Sequence, residues 1–145
     1  MTEPLTVLCP YCGHGAELID SGRVYHKSYG MIWICQPCQA WVGVHKDHKQ
    51  HKPLGTLANA ETRKLRSAAH EVFDPFWKEL AEQGVHRGKA RRELYLRLRT
   101  DMGIDRRACH IAKFDADACR TAIEICARWK REAAEAASQL PDASE

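Results

Sequence analysis

The sequence predicts an α+β protein: a β-hairpin module at the N-terminus tied by four cysteines, followed by a small helical unit of about three helices. Three observations carry that reading. Four of the cysteines fall in two short pairs, Cys9-Pro-Tyr-Cys12 and Cys35-Gln-Pro-Cys38. The residues flanking the second pair, Met31-Ile-Trp-Ile before it and Ala40-Trp-Val-Gly-Val after it, have the β-branched and aromatic composition of strands. From Asn59 onward the apolar residues recur with helical period instead.

A two-residue gap lets both sulfurs of a pair reach one ion from a single tight turn. Two such turns complete a tetrahedral sphere of thiolates at about 2.3 Å from zinc. The expected site is one structural Zn²⁺ per chain, held by Cys9, Cys12, Cys35 and Cys38 in a zinc ribbon. The stretch from Gly13 to Ile34 is longer than usual for paired C-x-x-C sites and reads as a longer hairpin, bent at Gly13, Gly15, Gly22 and Gly30. Redox or disulfide chemistry is the alternative, but it calls for a thioredoxin-like βαβ alternation that surrounds neither pair. Four thiolates leave no open position for water or substrate, so the metal is expected to hold the fold rather than catalyse. A hairpin module this small buries too little apolar surface to stand alone, and metal binding contributes on the order of 10 kcal/mol to folding such units.

The chain changes character near residue 52, with Pro53-Leu-Gly-Thr as the expected hinge. A first helix begins at Asn59, a good cap, with an apolar face of Leu65, Ala69, Val72, Phe76 and Leu80. Pro75 lacks an amide donor and predicts a kink or break near Asp74. Gly84 and Gly88 mark a linker. A second helix from about Lys89 carries Leu94, Leu98 and Met102 and stops at Gly103, the favoured left-handed cap. A third opens after Asp115, with Asp115 and Asp117 at its positive end and a stripe of Cys119, Ala122, Ile123, Cys126 and Trp129. The expected domains are 1–52 (zinc ribbon), 53–138 (helical unit packed on it) and 139–145 (flexible tail).

Twenty-two Lys+Arg against nineteen Asp+Glu in 145 residues is only weakly basic, which permits nucleic-acid binding without demanding it. No apolar run reaches membrane-span length and the N-terminus lacks the regions of a signal peptide. Seven cysteines, an odd number mostly at metal spacing, fit a reducing compartment, so a cytoplasmic location is expected. Cys109, Cys119 and Cys126 read as buried packing rather than a second metal site, and His110 as a hydrogen-bonded turn histidine. No glycine-rich phosphate loop, nucleophile elbow or H-E-x-x-H motif is present, and the chain reads as a non-enzyme.

Charge gathers in two places. The stretch His45-Lys-Asp-His-Lys-Gln-His-Lys52 supplies Lys46, Lys49 and Lys52, a phosphate-contacting loop or simply a solvated connection. The second cluster surrounds the second helix, where Arg87, Lys89, Arg91, Arg92 and Arg99 can face phosphates while its leucines face the core. A solubilising helix face with local ion pairs is the competing reading. Aromatic residues do not interleave with this cluster as on a single-strand stacking platform.

The wording Cys9-Pro-Tyr-Cys12-Gly, Val24-Tyr, Ser28-Tyr-Gly, Trp33-Ile-Cys35, Ala40-Trp-Val-Gly-Val-His45 and Lys52-Pro-Leu-Gly-Thr-Leu-Ala-Asn-Ala-Glu61 resembles a family of small zinc-finger-containing proteins of bacteriophages and prophages. The resemblance continues through Ala69-His70, Phe73-Asp-Pro75, Trp77, Cys109-His-Ile, Phe114-Asp115 and Cys119. It implies zinc on the four paired cysteines and a bacterial or phage setting. The extended His-Lys stretch after His45 departs from it. Two functions follow as expectations. One is a nucleic-acid-binding accessory or regulatory protein, contacting DNA or RNA. The other is a zinc-stabilised module that docks a host or phage protein, modulating host defence or replication, through an apolar patch near Tyr29, Trp33 and Trp41.

Overall fold

Strand alternation organises the N-terminal part of the chain, of which the computed structural model describes residues 5–46 and 49–139. Three antiparallel strands, β1 (Glu17–Asp20), β2 (Met31–Cys35) and β3 (Ala40–Gly43), lie in the order β1-β2-β3. The two segments expected as arms of the second knuckle are β2 and β3. The register pairs Trp33 with Val42 and Cys35 with Ala40. Paired residues share a face, and these four pack with Cys9 and Leu57 into one apolar cluster. The long stretch before β2 contains β1 and a short 3₁₀ turn at Ser21–Arg23. Asp20 holds this bend, accepting from the Gly22 amide (2.7 Å) and the Ser28 hydroxyl (2.9 Å).

The segment expected as a hinge is pinned instead. The Leu54 amide donates to the Gly43 carbonyl at 3.0 Å, and Trp41 and Ala58 exchange two backbone bonds at 3.0 Å. Residues 53–58 thus run along the free side of β3, with Leu57 and Ala58 both 1% exposed while Leu54 stays 48% exposed. Gly55 lies so close to the turn at Ile111–Lys113 that a Cβ there would collide with the Ala112 carbonyl. The neighbouring Thr56 amide bonds to that same carbonyl at 3.1 Å.

Helices α1 (Ala60–Glu82), α2 (Arg87–Met102) and α3 (Ala116–Ser138) follow. Asn59 caps α1 by accepting from the Thr62 amide at 2.9 Å, and Asp115 caps α3 by accepting from Ala118 at 2.8 Å. Gly103 ends α2 at φ +71°, returning its amide to the Arg99 carbonyl at 2.9 Å. Two expectations about α1 are corrected. The helix passes through Pro75 without a break, because the buried Phe73 and Trp77 on either side are clamped by the other helices while the proline faces solvent. Its fully buried residues are Thr62, Ala69, Phe73 and Trp77; of the expected face, Leu65, Phe76 and Leu80 pack partly buried against the core and only Val72, 38% exposed, turns away. On α3 the fully buried isoleucine is Ile125, with Ile123 only partly covered.

The helical core also contains Leu98, Ile111, Phe114, Cys119, Cys126 and Trp129. Its largest fully buried side chain, Trp129, donates its indole N–H to Asp101 Oδ2 at 2.7 Å. No described helix is long and apolar enough to cross a membrane. Apart from Gln139, the tail expected over 139–145 lies outside the described residues, as do Asp47 and His48 of the His-Lys stretch and the first four residues. The close approach at Gly55 sets a test: Gly55→Ala should destabilise the protein by about 3 kcal/mol, since a backbone carbonyl is poorly able to retreat from an added methyl. A thermal melt that shifts by less than a degree would contradict that account.

Candidate metal centre and basic cleft

Each cysteine pair is presented by a tight turn. In the first, the Gly13 amide returns to the Cys9 carbonyl at 2.8 Å and Gly13 adopts φ +80°, a left-handed position that suits glycine. In the second, Gln39 takes φ +50° while its amide donates to the Gln36 carbonyl at 3.1 Å. The two turns bring the sulfurs of Cys9, Cys12, Cys35 and Cys38 within 4.8 Å of one another, with Cys12 and Cys35 at 3.6 Å. Sulfurs placed tetrahedrally at about 2.3 Å from zinc stand about 3.8 Å apart, so the cluster fits such an ion in spacing and in donor chemistry.

The electrostatics point the same way. Without a cation, bonding with the Cys12 thiol, followed by burial, pushes the Cys38 thiol up to about 12. Cys35 is also raised: the Cys38 amide favours its thiolate, but burial and the Cys12 and Cys9 sulfurs outweigh that. Cys9 moves down; burial opposes its thiolate, but the amides of Tyr11 and Cys12 together with the Cys35 and Cys12 thiols more than offset that. One thiolate is stabilised and its neighbours resist ionisation, a conflict that a divalent ion removes.

A family model described as a zinc-finger-containing domain matches residues 5–129. The chain belongs to that family. No match was found among curated proteins or solved structures. Among the described residues of this zinc-finger domain, the four paired cysteines form the one group of His, Cys, Asp or Glu side chains placed to hold a metal. Cys109, Cys119 and Cys126 are at most 2% exposed, and burial pushes the Cys109 and Cys126 thiols up to about 11 and raises Cys119 as well.

The metal turns are wired to the helices. Tyr11, between the ligands Cys9 and Cys12, donates its hydroxyl to Thr62 Oγ1 at 2.9 Å and accepts from the Asn59 amide at 3.1 Å, so it grips the first turn of α1. Arg63 stacks on the Trp41 ring at 3.5 Å and donates to the Ala58 carbonyl at 2.6 Å. Arg66 spans further, donating to the Phe114 and Thr56 carbonyls at 2.9 and 2.8 Å and to Thr56 Oγ1 at 2.6 Å. In the run Asn59 to Glu61, Asn59 caps the helix and Glu61 pairs with Arg120 at 2.6 Å on the surface.

The remaining candidate residues are distributed unevenly. Lys46, Lys49 and Lys52 are exposed and make no ion pair among the described residues. Lys89 is likewise exposed, while Arg87 lies over the Trp77 ring at 5.0 Å. Tyr29 is 69% exposed and packs edge-on against Tyr25, which in turn meets Trp41 edge-on. Trp33 does not join them. It is 8% exposed, with its indole donating to the His51 carbonyl at 2.7 Å. The register explains this correction: Trp41 pairs with Ile34, not with Trp33, so the two indoles occupy opposite faces of the sheet.

Arg91, Arg92 and Arg99 line a single cleft of about 630 Å³ together with Arg106, which the turn after α2 delivers. None of the four makes an ion pair among the described residues, whereas Arg97, Arg120 and Arg128 all do. No carboxylate lines the cleft. Tyr95 and His110 line it as well, with ring centroids 5.5 Å apart. Among the described residues the His110 ring makes no hydrogen bond and so differs from the expected bonded turn histidine. The interleaving aromatic was legible after all: Arg91, Tyr95 and Arg99 recur at four-residue spacing and share a helix face. His110 and Arg106 come from a turn, and no sequence period could have assigned them.

Removing the metal should loosen more than the sheet. Chelation, or Cys35→Ser, should strip hydrogen-exchange protection from the Thr62 amide and the Trp41–Ala58 pair while the Leu98 and Cys126 amides keep theirs. Unchanged protection at Thr62 would break the proposed link through Tyr11. Metal affinity should also fall as pH falls, because the ion must displace protons from thiols, and Cys35 and Cys38 hold theirs above the usual range in its absence.

Proposed function

We propose that this is a non-enzymatic protein of phage or prophage type, working in the bacterial cytoplasm, whose four-cysteine zinc ribbon holds one structural Zn²⁺ and whose second helix binds nucleic-acid phosphates. The supporting observation is the contrast among the arginines. Arg97, Arg120 and Arg128 are matched with carboxylates, as a solubilising surface would have them. Arg91, Arg92, Arg99 and Arg106 converge without one. Guanidinium groups gathered without a carboxylate, Arg91 having only the Trp77 ring at 5.6 Å, favour an anion with several charges, which a phosphodiester chain supplies. Lys46, Lys49 and Lys52, exposed on the zinc module, offer further cations. The closed thiolate sphere keeps the metal out of chemistry and leaves it to maintain the fold.

A second reading rests on the exposed ring cluster of Tyr25, Tyr29 and Trp41, which fits a protein-docking patch with Tyr25 in the place expected for Trp33. One set of measurements separates the two. With zinc loaded, binding to an oligonucleotide should weaken with salt at a log–log slope of about −3, as for three to four phosphate contacts. Changing Arg91, Arg92 and Arg99 together to Ala should lower affinity at least tenfold, as several lost phosphate contacts require. Undetectable binding to both duplex and single strand at low salt would end the nucleic-acid reading. Capture of a protein partner that is lost on Tyr29→Ala would favour the second.

A further inference from the structure

We propose that the α2 cleft is a pocket for one unpaired nucleotide, its phosphate held among Arg91, Arg92, Arg99 and Arg106 and its base laid against Tyr95, Leu96 and His110. The inference rests on the nucleic-acid reading of α2 and narrows it to a ligand: a phosphate ester joined to an exposed base. A duplex backbone offers phosphate and sugar, and a convex helix studded with cations is enough to follow it. This surface is different. It is concave, with a volume within the range of small-ligand sites, roughly 300–1,000 Å³. Its cations stand beside apolar and aromatic groups that a phosphate chain has no use for.

Leu96 is 50% exposed within the cleft. An unpaired base supplies the flat, apolar face that such a side chain and a neighbouring ring can cover. His110 is suited to stacking rather than to adding charge: burial, then the cations of Lys113, Arg106 and Arg91, push its pKa down and disfavour the charged ring. The guanidinium planes can themselves stack on bases while their edges hold phosphate. The rings are already braced. Tyr95 rests on Phe73 with centroids 4.6 Å apart, and the Cys109 thiol donates to the Tyr95 carbonyl at 3.7 Å, which fastens the His110 turn to the helix. A ligand therefore meets a preformed surface and loses little affinity to ordering it.

The test uses the zinc-loaded full chain and four probes at one salt concentration: inorganic phosphate, deoxyadenosine monophosphate, a single-stranded 12-mer and the matching 12-base-pair duplex. The variant is Leu96→Ser with His110→Ala, both at exposed positions, with folding checked by circular dichroism. The single strand should bind about tenfold more tightly than the duplex, as base stacking implies. The double variant should lose most of that preference while duplex affinity changes less than about twofold, its phosphate contacts being intact.

Equal or tighter duplex binding overturns the pocket while leaving phosphate-backbone binding on α2 standing. So does a variant that weakens both polymers alike or neither. Binding of the mononucleotide in preference to inorganic phosphate, sensitive to the variant and without polymer binding, supports the pocket as a free-nucleotide site and removes the nucleic-acid reading. Phosphate binding as tightly as the mononucleotide overturns the base contact. Failure of all four probes overturns both readings.

Discussion

Four sulfurs gathered within 4.8 Å of one another are the constraint on which the rest of this structure depends. Thiols so placed have no reason to stay together. They supply little apolar burial, and ionising one makes ionising the next harder, as the opposite shifts of Cys9 and Cys38 record. A divalent ion adds to each thiolate an attraction that outweighs their mutual repulsion. It then fixes the two turns relative to each other, and with them the hairpins whose inward faces pack Trp33, Val42 and Leu57. Tyr11 carries that order outward. Lying between two ligands, it can grip Thr62 and the Asn59 amide only while its own turn is closed.

Two arginines complete the connection between sheet and helices, and they show why net charge said so little about function. Arg63 and Arg66 both have their pKa lowered, with burial the leading cause. Their charges are partly removed from water and answered by backbone carbonyls and a tryptophan face. These arginines are structural. Those of the α2 cleft are the opposite case, without carboxylates, with Arg91, Arg92 and Arg106 exposed and Arg99 half-buried. A weakly basic total therefore conceals three populations of guanidinium groups, those tied to carbonyls, those paired with acids and those left available. Only contacts distinguish them.

Much of this was legible in the sequence, and what was legible was local. The metal ligands announce themselves because a tight turn needs its two thiols a fixed number of residues apart. Asn59, Gly103 and Asp115 are readable because a cap is a bond between residues three or four apart. The errors came where distant packing decides. Pro75 predicted a break, yet neighbours on other helices hold Phe73 and Trp77 and carry the helix through. Trp33 and Trp41 looked alike as aromatic strand residues, and register alone separates the buried ring from the accessible one. The Pro-Leu-Gly-Thr run reads as a flexible connection until the approach of Ala112 to Gly55 is seen. No periodicity in residues 53–58 encodes a contact with a turn more than fifty residues away.

That turn is also where the metal-dependent part of the molecule meets the cleft. Residues 105–114 place Arg106 and His110 in the cleft, and Cys109 anchors them to α2 through the Tyr95 carbonyl. The same stretch receives the Thr56 amide at Ala112 and the Arg66 side chain at Phe114. One face of the turn thus answers to the helices and the other to the segment that runs along β3. Helix α2 buries only Ala90, Leu94 and Leu98 fully, too little apolar surface to set the turn's position unaided. The linking segment supplies the missing support, and it stays in place because β3 and the second metal turn are in place. The ion is remote from the proposed ligand in chemistry but not in mechanics: it steadies the sheet edge, the edge steadies the turn, and the turn sets the spacing of the cleft's cations and rings.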